Sequence, residues 1–241
     1  MSKGMQHSYV NAGGLFFFSE YVSPSFEDDT LASHLAFQLG ASSRHNKFNE
    51  GAPWRQAYMN ALATFGSRTS RRDVLNIPVQ EQGSVWGLVK QGLNRRVSQA
   101  LIQQAEQTLM HLQDGSADGF GFFRQYSTDS LQVEQSDESQ LNPSSPSSEA
   151  SSTVSFQLAF VDSEPLMTLV FISFKATSQV TGLPFAQLFE QGHITGNVEL
   201  TLISTELDDH HYARFREGLL KKLGHLRQEL IFKLSGASHE D

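Results

Sequence analysis

Residues 166–174 read Leu-Met-Thr-Leu-Val-Phe-Ile-Ser-Phe, apolar at nearly every position up to Ser173. Successive side chains of a strand point to opposite sides, so such a strand must be covered both above and below. Upstream, Val154, Phe156, Leu158 and Phe160 alternate with Ser155, Gln157 and Ala159. This alternation predicts a second strand with one buried face. Asp162-Ser163-Glu164-Pro165 lies between the two as a short antiparallel connection. A chain of 241 residues can bury a substantial core. A sheet needing cover on both faces then predicts a single-domain layered α/β/α sandwich, 1–241, with a largely antiparallel sheet flanked by helices.

The covering elements are read from apolar spacing. Residues 15–22 form a short, aromatic-rich strand candidate. Asp28 or Asp29 can cap a helix with Leu31, Leu35 and Leu39 on one face and Gly40 just past its end. Pro53 suits the first residue of a second helix, which ends before Gly66. Its Trp54, Ala57, Tyr58, Ala61, Leu62 and Phe65 keep helical spacing. Residues 73–79 read as a short edge strand, because Pro78 cannot donate to a central ladder. Val85, Val89, Leu93, Val97, Leu101, Ala105 and Leu109 predict one long helix from Ser84 to about Leu112. Gly87 and Gly92 weaken its first turns. Residues 120–126 read as a strand and 183–189 as a short helix. Val198, Leu200 and Leu202 mark another strand, and Asp208-Asp209 can cap a final helix reaching about Leu234.

Charge is unevenly placed. There are 18 Lys and Arg against 26 Asp and Glu, a formal charge of −8. Between Arg124 and Lys175 there is no basic residue, while Asp129, Glu134, Asp137, Glu138, Glu149, Asp162 and Glu164 all fall there. Residues 129–152, rich in Ser, Glu, Gln and Asn, read as a flexible acidic loop able to engage a protein partner. Residues 1–14 read as a flexible N-terminus. The acidic balance argues against nucleic acid as a partner. No stretch is apolar for long enough to be a secretory signal or a membrane span. A soluble chain is therefore expected, cytoplasmic as synthesised, with any release occurring without a cleaved signal.

Motifs for chemistry are sparse. With no cysteine, zinc–thiolate sites, cysteine nucleophiles and S-acylation are all ruled out. Gly119-Phe120-Gly121 lacks the rest of a dinucleotide loop, no serine sits in a G-x-S-x-G turn, and the nine histidines never fall as H-E-x-x-H. No cofactor or metal is expected. Asp208, Asp209, His210 and His211 form the densest polar group; a helix cap explains them, an acid–base site being the alternative. Arg68, Arg71 and Arg72 form a basic cluster, either a solvated loop or an anchor for lipid headgroups.

In element order, the chain from residue 84 onward resembles the Cyt-type cytolytic δ-endotoxins. The matching stretch comprises the helix from Val85, the aromatic Gly119-Phe120-Gly121-Phe122-Phe123, the strands 153–160 and 167–174, then Asn197-Val198-Glu199-Leu200 and a closing helix. The fold of an Erwinia virulence factor is similar, but its acylation needs a cysteine that this chain lacks. The resemblance implies a toxin- or virulence-type protein that acts on lipid membranes without catalysis. The helices 29–39 and 53–65 would then detach, offering Leu31, Leu35, Leu39, Trp54, Tyr58, Leu62 and Phe65 to the membrane interface, with Arg68, Arg71 and Arg72 at the headgroups. The alternatives are an adaptor working through 129–152 and an enzyme centred on Asp208–His211.

Overall fold

The computed structural model describes residues 7–78, 84–113, 119–130, 152–176 and 194–234. The helix expected at 183–189 and most of the acidic segment, 131–151, lie outside the described residues.

The paired apolar strands stand at the centre, as their composition requires. β5 (Ser152–Ser163) and β6 (Leu166–Ala176) form an antiparallel hairpin, and β7 (Ile194–Leu207) pairs antiparallel with β6. β3 (Ser67–Pro78) closes that edge against β7. On the other side, β2 (Gly14–Phe18) runs parallel to β5, followed by β1 (His7–Asn11) and β8 (Ile231–Leu234). The described strand order is β3-β7-β6-β5-β2-β1-β8, with β4 (Thr128–Ser130) alongside β5. All pairings are antiparallel except β2 with β5.

Helices cover both faces. On one, α3 (Val85–Leu93), α4 (Gln99–Gln113) and α5 (Gly119–Ser127) lie over Phe17, Val154, Phe156, Leu158, Val170 and Leu202. On the other, α1 (Pro24–Ser42), α2 (Gly51–Thr64), α6 (Asp209–Leu223) and α7 (Leu226–Leu230) lie over Phe16, Phe18, Leu169, Phe171 and Ile203. The predicted layering holds, and the N-terminal helices pack directly on the sheet.

Several elements differ from the sequence reading, each for a local reason. The N-terminal segment is not loose throughout: His7–Asn11 is strand, held between β2 and β8. β5 is buried on both sides, since Gln157 and Ala159 are as inaccessible as their neighbours. α1 starts at Pro24, because Ser23 Oγ accepts from the Phe26 amide at 3.3 Å, and it runs through Gly40. The long helix is two. The chain breaks at 94–98, where Arg95 takes a positive φ of 64° and the Ser98 amide donates to the Asp162 carboxylate at 2.8 Å. The aromatic run at 119–127 is helical: Phe122 and Tyr126 meet four residues apart, while Phe123 is buried on the sheet face. The last helix stops at Gly224, whose φ is 51°, and after α7 the chain becomes β8.

Candidate functional site

α1 packs over the sheet against α2 and α6, and it is buried almost all round. Leu31, Leu35 and Phe37 are inaccessible, and so are Asp29, Thr30, Ser33, His34 and Gln38. Buried polar groups must be paired, and most of these visibly are. Gln38 Nε2 donates to the Asn11 carbonyl at 2.9 Å, Asn11 Nδ2 donates to the Leu31 carbonyl at 2.8 Å, and the Gly13 amide donates to Gln38 Oε1 at 3.2 Å. Asp29 accepts from Arg216 Nε at 2.9 and 3.0 Å, tying α1 to α6. His34 Nδ1 meets the Tyr58 hydroxyl of α2. Burial pushes the His34 imidazole down to about 3, so it is neutral at physiological pH. Asp28, read as a helix cap, instead pairs with Arg227.

Where α1, α2 and α6 meet at the surface, they leave a groove of about 760 Å³. Small residues open it: Ala36 and Gly40 on α1, Ala57 and Ala61 on α2, and Gly218 on α6. A Cβ built at Gly40 or at Gly218 would meet nothing within 4 Å. Leu39, Phe65, Phe215, Leu219 and Leu223 supply the apolar lining. At the rim stand Arg44, Arg214 and Lys222, all exposed. None of these three cations forms an ion pair among the described residues. An apolar trough under uncompensated positive charge suits a ligand with a long apolar part and an anionic end.

The predicted membrane-facing residues divide in two. Leu31, Leu35, Trp54, Tyr58 and Leu62 are buried in the core, Trp54 also donating from Nε1 to Ser42 Oγ at 2.9 Å. Leu39 and Phe65 are half-buried and line the groove. Arg68, Arg71 and Arg72 stand on the edge strand β3 instead of a loop. Their register separates them, since Arg71 pairs with Ser204 and Arg72 with Ile203, on opposite faces of the strand. Arg68 meets Asp208 at 2.9 Å, whereas Arg71 and Arg96 share Asp73. Asp208 caps α6 by accepting from the His211 amide at 3.0 Å. That hydrogen bond and the nearby Arg68 hold its carboxyl below the ordinary range. His211 Nε2 contacts the Thr64 carbonyl at 3.1 Å, and His210 is exposed. Among the described residues no three His, Asp or Glu side chains could together hold a metal, and no helix is long and apolar enough to cross a membrane.

Sequence reasoning missed Arg44, Arg214 and Lys222, because Arg44 lies 170 residues before Arg214 and no motif joins them. The small residues spaced four apart on α1 and α2 were the signal that two helices leave a hollow.

No known family profile matches the chain, and no curated protein does. Among solved structures, it is similar to a chain described as a delta-endotoxin. The identity is 13% over 82% of this chain and 81% of that one, with a TM-score of 0.44. It is also similar to the activated Cyt2Ba monomer from Bacillus thuringiensis subsp. israelensis, at 12% identity over 82% of this chain and 98% of that chain, with a TM-score of 0.43. The Cyt-type resemblance in element order is thus met again among solved structures. No residue role is taken from it.

Proposed function

We propose that this chain binds lipid through the helical layer formed by α1, α2 and α6. The observation that carries this reading is the apolar groove whose rim holds three cations, Arg44, Arg214 and Lys222, with no ion pair among the described residues, on a chain of net charge −8. In an acidic protein such a local excess of positive charge is an attraction site for anionic amphiphiles. Leu39 and Phe65 line this groove, which supports contact with lipid there. Exposing Leu31, Leu35, Trp54, Tyr58 and Leu62 as well requires α2 to leave the sheet and α1 to leave its contacts with Asn11, Gly13 and Arg216, so helix detachment is a second, costlier stage.

Co-sedimentation with phosphatidylcholine vesicles, and with the same vesicles containing phosphatidylglycerol, tests the proposal. Association is expected with both and should be stronger with the anionic mixture. Indifference to both at high protein concentration would overturn it. Leakage of an entrapped dye in the same samples tests the toxin-type outcome, in which helix detachment follows binding.

A further inference from the structure

We infer that the groove between α1, α2 and α6 is a seat for one single-chain amphiphile with an anionic head, a long-chain fatty acid being the simplest. The inference rests on the lipid reading above and names the chemical class of its ligand.

The shape of the helical layer points to a single molecule. A helix that lies in a bilayer interface needs a convex apolar face. The exposed side of α2 carries Gln56, Asn60 and Thr64 together with small residues. The large apolar side chains that do stand exposed, Tyr21, Val74, Met110 and Leu166, lie outside α1, α2 and α6 and do not share an element. What these helices offer is concave. The volume of about 760 Å³ falls within the range of small-molecule sites, about 300–1,000 Å³. Arg44, at the end of α1, and Arg214 and Lys222, a little over two turns apart on α6, provide donors for a carboxylate or similar head. A neutral lipid would leave all three without a partner.

Two glycines make the groove testable without damaging the fold. Gly40 and Gly218 lie within helices at ordinary φ and border open space. A larger side chain at either position would enter the groove while improving helix propensity.

The experiment titrates the full chain with oleate below its critical micelle concentration, followed by calorimetry, alongside oleyl alcohol and phosphatidylcholine vesicles. Saturable one-to-one binding of oleate is expected, with oleyl alcohol weaker by about tenfold or more. The triple variant Arg44→Ala/Arg214→Ala/Lys222→Ala should bind oleate about tenfold or more weakly. Gly40→Leu/Gly218→Leu should lose oleate altogether, with its thermal midpoint unchanged or raised. Equal affinity for oleate and oleyl alcohol would overturn the inference, as would undiminished oleate binding by the filled variant. Vesicle association without oleate binding would also overturn it, while leaving the broader lipid reading in place. Failure to bind either probe would end both.

Discussion

Acidification should destabilise this protein through a single buried group, and the size of the effect follows from where His34 sits. Its ring is fully buried among Phe16, Phe37 and Tyr58, with the Tyr58 hydroxyl at Nδ1. Burial lowers its pKa from 6.5 to about 3. As pH falls below 6.5 the unfolded chain takes up a proton at this residue and the folded chain does not. Stability is therefore lost from pH 6.5 downward until about pH 3, and the group contributes no slope above pH 7. At about 1.4 kcal/mol per pH unit of unequal protonation, the loss between pH 7 and pH 5 is about 2 kcal/mol. Other titrating groups add their own slopes, so the measurement is a difference. Urea unfolding of the wild type and of His34→Gln at pH 7, 6 and 5 isolates the histidine, because Gln keeps a polar partner for Tyr58 and does not titrate. The variant should start less stable and lose about 2 kcal/mol less over that interval. Parallel stability curves for the two proteins would refute the reasoning.

Other substitutions read out other links. Trp54→Ala removes a buried ring 5.5 Å from Tyr58, together with the bond to Ser42, and should cost about 3–5 kcal/mol in urea unfolding. Gly224→Ala forces a side chain onto a φ of 51°, which should cost about 2 kcal/mol by the same measurement. Gly92 and Gly218 should respond in opposite directions. A Cβ at Gly92 would sit 2.9 Å from Leu202 Cδ2, so Ala there should lower the thermal midpoint; Gly218→Ala meets nothing and should raise it, by up to about 1 kcal/mol of helix propensity. Asp208→Ala should lower the thermal midpoint, with Asp208→Asn recovering most of it, because an amide oxygen still accepts from the His211 amide.

The sheet was legible in the sequence because its signal is local. Leu166, Val170 and Ile172 lie on a strand that can only be central, and the turn at Asp162–Pro165 places its partner. Where tertiary contacts decide the conformation, the local signal misleads. Nothing in residues 94–98 is glycine or proline, yet the helix breaks there because Asp162, distant in sequence, captures Ser98. Phe122 and Phe123 look like strand residues by composition, but their partners Phe232 and Phe156 sit where a helix presents them. His7–Asn11 seemed too polar to be structured; β8, more than two hundred residues downstream, supplies its outer partner. The groove was illegible for the same reason. Arg214 and Lys222 lie on α6 while Arg44 follows α1, and only packing sets all three around one groove.

α1 shows how this bears on mechanism. The leucines at 31, 35 and 39 suggest an amphipathic helix whose other side meets water. In the fold the rest of the helix carries Asp29, Ser33, His34 and Gln38, all buried, because α2, α6 and the β1–β2 turn close over them. Each polar group is matched to a particular partner: Arg216 for Asp29, Tyr58 for His34, Asn11 and Gly13 for Gln38. Separating such pairs without new partners leaves desolvated donors and acceptors, at about 1–3 kcal/mol each. α1 therefore cannot leave first. α2 and α6 flank α1 over the sheet and hold its polar groups, and the groove opens where the three helices meet. A lipid seated there would act on the two helices that must move before α1 does, so occupancy of the groove should precede and promote any deeper opening. His34 biases the same contact by linkage: once opening exposes it, the ring takes up a proton below pH 6.5, which favours the state in which α1 has left α2 at Tyr58. Vesicle leakage by the wild type should accordingly rise between pH 7 and pH 5, and that rise should be smaller in His34→Gln. A leakage rate independent of pH in both proteins would mean that the α1–α2 contact is not part of the opening step.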